Sequence, residues 1–406
     1  MHYISDAGMG VVRIDVSWDK YEPTQGDYVW QPLDSRIVAL QYHGLDPFIT
    51  LESDAAWGVE ETDKTARNRP PLDMAVWKDY VRTLVERYDY DGIDDGPALS
   101  SPVRYYQIGN EWMSSSNTTG GWTGTRDQFI EWVNATYDAI KAAYADAEVV
   151  LGGMSTFNID MMTLREGFGD YTIYYSFNDT SGVVVTPQDA QNPAYQEFLD
   201  GVYRALRECR FDILDGHLYG PLEYNDSRVA LLQDRAPKRK IVTTECGGPS
   251  RDYDDDITPE DHFLCAIQLN LDLLAKGYEF CLWFRLGESP NSTWGNIYVP
   301  LFDLNGQPKG GYWAYKLLGS VLGVLDRVQK LGDGAYIIHR KADSPVFIAW
   351  NAAGGSIQLP AVVEATQLIR VTDAPTGTYV IEDVPGGGDI TLSDLPVVAA
   401  ATLPGQ

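Results

Sequence analysis

Two stretches of this chain end on a glutamate where a β-rich run gives way to loop-forming residues. One is Tyr105-Tyr106-Gln107-Ile108-Gly109-Asn110-Glu111-Trp112; the other is Lys240-Ile241-Val242-Thr243-Thr244-Glu245-Cys246-Gly247. A carboxylate at the end of a buried strand costs free energy unless a partner or a reaction accounts for it. Two of them suit glycoside hydrolysis, in which one carboxyl protonates the leaving oxygen and the other attacks the sugar or activates water. Singly, each glutamate reads equally well as a structural ion-pair residue. Together, within a repeating βα frame, they read as a catalytic pair. The four cysteines, Cys209, Cys246, Cys265 and Cys281, form no CxxC pair, so the sequence carries no zinc or other metal signature and calls for no cofactor. Cys246 follows Glu245 directly and reads as a small buried residue before it reads as a catalytic thiol.

The frame is a succession of strand and helix. Val11-Val12-Arg13-Ile14-Asp15-Val16-Ser17-Trp18 alternates like a strand, and six further strands begin near residues 46, 104, 148, 211, 240 and 279. Helices lie between them. Asp34 is expected to cap the first and Asp73 the second, which has apolar residues at Trp77, Tyr80, Val81, Leu84, Val85 and Tyr88 along one face. Thr258-Pro259 opens another in cap-then-proline order. Residues 155–192 read as a long irregular insertion. Repeated βα units argue for a parallel sheet closed into a (β/α)8 barrel, with chemistry at the C-terminal strand ends, where both glutamates, His217, Tyr219 and Trp283 fall. From about residue 325 the helical period vanishes. Short strands separated by Gly, Pro, Asp and Asn follow, so the expected domains are a barrel over 1–324 and an all-β sandwich over 325–406.

The composition is globular, with 44% hydrophobic and 22% charged residues. No apolar run is long enough to span a bilayer. A net charge of −27 argues against nucleic acid or an anionic membrane surface as partner. It also disfavours a strongly anionic polysaccharide unless the site is locally basic. The first residues do not form a signal peptide, and the compartment is not readable from them.

The same residues resemble the clan A glycoside hydrolases, the retaining (β/α)8 group, over roughly residues 5 to 325, with family 39 and family 5 as the nearest types. Asn110-Glu111 is similar to that clan's Asn-Glu pair, Glu245 to its nucleophile, His217-x-Tyr219 to its His-x-Tyr, and Arg13 and Trp283 to its strand-borne arginine and tryptophan. The stretches Trp18 to Trp30 and Asp303 to Tyr312 point to the family 39 and family 5 branches, where a C-terminal β-domain is common. Asn-Glu-Trp stands here where many relatives have Asn-Glu-Pro. The resemblance implies a carbohydrate substrate and a double displacement through a covalent glycosyl-enzyme. In it Glu245 is the nucleophile and Glu111 the acid/base, Asn110 binds the sugar 2-hydroxyl, and Arg13 and Tyr219 support Glu245. His217 joins the substrate-binding set, and Trp283 forms a sugar platform. Trp57, Trp112, Trp122 and Trp294 are further candidate platforms. Bland alternatives stand beside each: a core histidine at His217, a barrel-interior ion pair at Arg13, plain packing for most tryptophans. A transglycosylase, or a non-catalytic carbohydrate-binding protein on the same scaffold, are the competing functions. Long loops after Glu111 and Trp283 favour exo action.

Strand counting adds one expectation. In the resembled clan the acid/base follows the fourth strand and the nucleophile the seventh, whereas here Glu111 ends the third and Glu245 the sixth. The barrel is therefore expected to lack its first strand, with His2 to Gly8 as the last turn of the preceding helix and an unpaired gap between the Arg13 and Trp283 strands.

Overall fold

The computed structural model describes residues 1–175, 183–248, 258–287 and 300–401. Seven parallel strands form one curled sheet: β1 (Val11–Ser17), β2 (Asp46–Glu52), β3 (Tyr105–Ile108), β4 (Glu148–Met154), β5 (Ile213–Gly216), β6 (Lys240–Gly247) and β7 (Cys281–Trp283). They pair in chain order. A short continuation of β5, Leu218–Tyr219, pairs with the end of β6. Among the described residues no ladder joins β1 to β7. Seven strands with the gap at that seam match the strand count.

Alternation along each strand builds the interior in layers. Phe48, Val150, Ile213 and Val242, with Val11, Tyr105 and Phe280 against them, make an apolar floor. Two residues further along the strands stand Arg13, Thr50, Gln107, Asp215 and Thr244. The catalytic candidates sit above, at the C-terminal ends. Burial of each large floor side chain contributes about 1.5–3 kcal/mol, which helps to offset the cost of the polar layer over it.

The helices cover the outer face. Met74–Glu86 has Asp73 as its cap, the side chain accepting from Ala75 N–H at 2.8 Å, and buries the expected apolar stripe. Asp34 is not the cap of its helix. That helix is Gln31–Tyr42, and Asp34 is in its first turn, where its carboxylate accepts from Arg87 at 2.7 and 2.8 Å and from Tyr88 Oη at 2.8 Å. A long-range charge pair thus overrides the local capping signal. The span read as irregular holds a helix, Thr156–Arg165, capped by Ser155, and a two-stranded pair, Ile173–Tyr175 with Val183–Val185. The first helix, His2–Asp6, ends before Gly8. Gly8 is left-handed at φ +72° and lies so near Gly319 that a Cβ on it would meet the Gly319 Cα at 2.4 Å.

Beyond Leu325 every described element is a strand. β8 (Leu325–Gly332), β9 (Ala335–Arg340), β10 (Val346–Ala349), β11 (Gln367–Asp373), β12 (Thr378–Asp383) and β13 (Val397–Ala400) form an antiparallel sheet in the order β8-β9-β10-β13-β11-β12. Its two faces are both used, as period-2 alternation requires. Ile337, Phe347, Leu368 and Val397 pack towards the small sheet Ser356–Gln358 with Asp389–Thr391. Tyr336, Ile338, Ile348, Ile369 and Val398 pack on the helices Pro259–Ala275 and Gly310–Leu322. Tyr336 Oη donates to Asp272 at 2.8 Å across that contact.

Candidate active site

Glu245, near the end of β6, is held by donors from three other strands and their ends. Arg13 of β1 donates from Nη1 to Glu245 Oε1 at 2.9 Å, and it is itself fixed by Thr50 at 2.9 Å and Thr244 at 3.2 Å. Asn110 Nδ2 donates to the same oxygen at 3.3 Å, and Tyr219 Oη donates to Oε2 at 3.0 Å. His217 lies 3.5 Å from Oε2. Burial alone would favour the protonated acid. The charges of His217 and Arg13 and the Tyr219 hydrogen bond outweigh it, so the carboxyl is held below the usual carboxylate range.

Glu111 follows β3 with φ +43°, a left-handed conformation that is costly for a non-glycine residue and is found preferentially at functional sites. Its backbone N–H donates to Gly153 O at 2.9 Å. Its Oε1 meets His217 Nδ1 at 3.1 Å. One ligand atom each of Glu111, His217 and Glu245 lie within 4.8 Å of one another, so both carboxylates share one imidazole.

His217, placed in the substrate-binding set from the sequence, is fully buried and does not line the cleft. It lies beneath the two glutamates. Burial would depress it, but the Glu245 charge, the hydrogen bond with Glu111 and the Asp215 carboxylate push it up to about 9. At neutral pH the ring is therefore an imidazolium that donates to carboxylates. The three groups have the donor types of a divalent-metal site. Glu86, Asp89 and Asp91 form a second cluster of oxygens, away from this site.

The raised His217 makes stability pH-dependent. A histidine titrating near 6.5 when unfolded and about 9 when folded binds its proton more tightly in the fold. Its contribution, on the order of 3 kcal/mol, is complete below pH ~6.5 and is lost as pH rises through ~9. The thermal midpoint is expected to fall across that window, and His217→Gln should flatten the fall. A midpoint equally steep in the variant would show that other groups carry it.

Gly153 of β4 makes room for the ring: a Cβ there would stand 2.0 Å from His217 Nε2 and 2.8 Å from Asp215 Oδ2. Neither neighbour can retreat, because Asp215 is fully buried and bonded to Thr244 N–H at 2.8 Å and Thr244 Oγ1 at 2.5 Å. Gly153→Ala is expected to cost at least about 2 kcal/mol of stability and to displace His217. A variant with wild-type melting and an unshifted His217 NMR titration would contradict this packing.

Sequence reading missed Asp215, Gly153, Thr244 and Asn117. Asp215 was legible in principle, since it stands two residues before His217 on the same strand face. The Gly152-Gly153 pair in a β run marks close approach of another group. Asn117 had no signal beyond its place in the loop after Glu111.

A cavity of about 1480 Å³ opens over this pair and extends along the β1–β7 seam. Its lining includes Arg13, Asn110, Glu111, Asn117, Tyr219, Glu245 and Trp283. Trp57, Trp112 and Trp122 are packing residues instead. Trp57 lies against Trp18 at 5.0 Å and donates to Glu22 O, Trp112 stacks on Phe129 at 4.8 Å, and Trp122 stacks on Trp132 at 4.9 Å. Trp294 lies outside the described residues. Cys246 is a buried thiol that donates to Leu282 O at 3.3 Å, and burial pushes it far above the ordinary thiol range, so it is no thiolate nucleophile. No helix among the described residues is long and apolar enough to cross a membrane.

The chain matches no protein-family model and no curated protein sequence. Solved structures do match. A glucosidase from Croceicoccus marinus superposes with a TM-score of 0.65 at 14% identity, over 98% of this chain and 90% of that one. A monomeric β-xylosidase from Caulobacter crescentus gives 0.62 at 13%, over 98% and 91%. A family 30 endoxylanase from Clostridium papyrosolvens gives 0.57 at 13%, over 99% and 93%. This chain has their fold. The shared architecture extends through the C-terminal strands, because nearly the whole chain is covered in each case. The combination of a parallel βα sheet and a C-terminal antiparallel module is therefore one that glycoside hydrolases use.

Proposed function

We propose that this protein is a glycosidase that cleaves β-glycosidic bonds with retention, by double displacement at Glu245 and Glu111. The observation that carries the reading is the spacing of the two carboxylates. Their oxygens approach within 4.8 Å through a shared imidazolium. Retaining enzymes hold the pair about 5–5.5 Å apart, whereas inverting ones need 6.5–9.5 Å to admit a water. Glu245, kept ionised by Arg13, His217 and Tyr219, attacks the anomeric carbon. Glu111 delivers a proton to the leaving oxygen and then takes one from water. The Oδ1 of Asn110 is buried with no protein partner among the described residues, which suits it to accept from a sugar hydroxyl. Trp283, half-buried on the cavity wall, offers a ring face to the sugar's C–H groups.

The neighbours act on different glycosides by their names, so the sugar is left to experiment. A panel of aryl β-glycosides (xyloside, glucoside, mannoside, galactoside, glucuronide, fucoside) should show release of the aryl group from at least one. ¹H NMR of the first-formed sugar should show the β-anomer. First-formed α-anomer would exclude double displacement, and no release from any member would favour a non-catalytic carbohydrate-binding role. Transfer to an added sugar acceptor in preference to water would favour the transglycosylase.

A further inference from the structure

Glu111 is gripped from a second side. While His217 meets its Oε1, the Asn117 side chain donates from Nδ2 to Oε2 at 2.8 Å. The orientation of that amide is determined by its other contacts. Its Oδ1 accepts from the Thr119 backbone N–H at 3.0 Å and from the Thr119 hydroxyl at 2.9 Å. A backbone N–H can only donate, so the oxygen must face Thr119 and the nitrogen must face Glu111. The backbone around it is tied down as well. Asn117 N–H donates to Ser114 Oγ at 3.0 Å, and Asn117 O accepts from Arg67 N–H at 3.1 Å. The side chain therefore reaches Glu111 from an anchored loop, at the wall of the cavity.

We infer that Asn117 is a positioning residue for the acid/base: its amide N–H holds Glu111 Oε2 towards the cleft. An amide nitrogen can donate to a carboxylate oxygen but cannot accept the proton of a carboxylic acid. The contact therefore strengthens when Glu111 is charged and weakens when it is protonated. The other groups facing Glu111 are His217, Glu245, Asn110 and Tyr219, with Asp215 behind His217 and Arg13 behind Glu245. His217 holds Oε1 and Asn117 holds Oε2, so loss of the Asn117 amide removes the donor at Oε2. This role rests on the proposed retaining mechanism, in which Glu111 must alternate between the two protonation states.

Asn117→Asp separates this role from loop anchoring. Aspartate keeps the oxygen that accepts from Thr119 and nearly the same shape, but it puts an oxygen where the donor was. One prediction follows from the like charge placed beside Glu111, and one from loss of the donor that aims its Oε2. The alkaline limb of kcat/KM on a phenyl glycoside should move up by about one pH unit. The rate on that substrate at neutral pH should fall roughly 10–100-fold, with less than about threefold loss on the 2,4-dinitrophenyl glycoside, whose leaving group needs no proton. Asn117→Ala should shift the limb in the same direction by less. If Asn117→Asp keeps the wild-type limb and the wild-type ratio of the two substrates while Asn117→Ala loses activity or melts early, the residue only anchors the loop and the inference is overturned. A ¹³C NMR titration of the Glu111 carboxyl in wild type and Asn117→Asp reads the same effect without turnover. An upward shift there supports the inference even if every aryl glycoside proves inert, and an unmoved titration overturns it whatever the activity.

Discussion

Glu245→Ala is expected to lower kcat/KM on aryl β-glycosides by on the order of 10⁴-fold or more, with the fold intact. The loss follows from geometry. Glu245 is the carboxylate on which Arg13, Asn110 and Tyr219 converge at 2.9, 3.3 and 3.0 Å, so no other group is held charged at that point. Removing it leaves Arg13 and His217 facing an empty site of positive character. A small anion should enter there. Azide is expected to restore part of the rate on activated substrates and to give the α-glycosyl azide, because it attacks from the face that Glu245 vacated. The buried cations left unpaired predict a second effect, a lower melting temperature that Glu245→Gln reproduces only in part. Equal activity of wild type and Glu245→Ala, or a β-configured azide product from it, would remove Glu245 from the nucleophile's place.

Glu111→Ala should behave differently on different substrates. General acid catalysis is worth about 10²–10⁴-fold, so turnover of a phenyl glycoside should fall by that amount. Attack on a dinitrophenyl glycoside, whose leaving group departs without a proton, should persist. The second step still needs a base, so the glycosyl-enzyme should accumulate and release of dinitrophenol should show a burst followed by a slow steady state. Azide added here meets the intermediate from the opposite face and should give the β-glycosyl azide. The two alanine variants therefore predict azides of opposite configuration, an outcome that non-specific damage to the site cannot imitate. Parallel losses on phenyl and dinitrophenyl substrates would deny Glu111 the acid role.

Much of this site was legible in the amino-acid order because parallel βα architecture is locally encoded. Strand alternation placed Arg13 on the interior face of β1. The chain breaks after Ile108 and in Cys246-Gly247 placed Glu111 and Glu245 at the same end of their strands, and the His-x-Tyr spacing placed Tyr219 beside them. The strand count, and with it the seam between β1 and β7, also came from periodicity, because each strand begins within two residues of its expected start.

Local pattern could not say what stands across the barrel. His217 and Glu111 are 106 residues apart, and Asn110 and Glu245 are 135 apart. Whether His217 faces the cleft or lies beneath it depends on Gly153, whose missing side chain leaves the space the ring fills. Asp34 had the sequence signature of a cap, and Arg87, 53 residues on, recruited it to an ion pair instead. Trp57, Trp112 and Trp122 looked like sugar platforms, since an exposed and a buried tryptophan have the same one-dimensional context; neighbouring helices and loops closed over them. The contact of Asn117 with Glu111 arises within one loop, but it depends on a turn at Glu111 that is strained at φ +43° and held by the hydrogen bond that its N–H donates to β4. Residue type and period determine the face of an element on which a side chain lies. Its depth and its partner are set by packing between elements, which only the folded chain brings within hydrogen-bond reach.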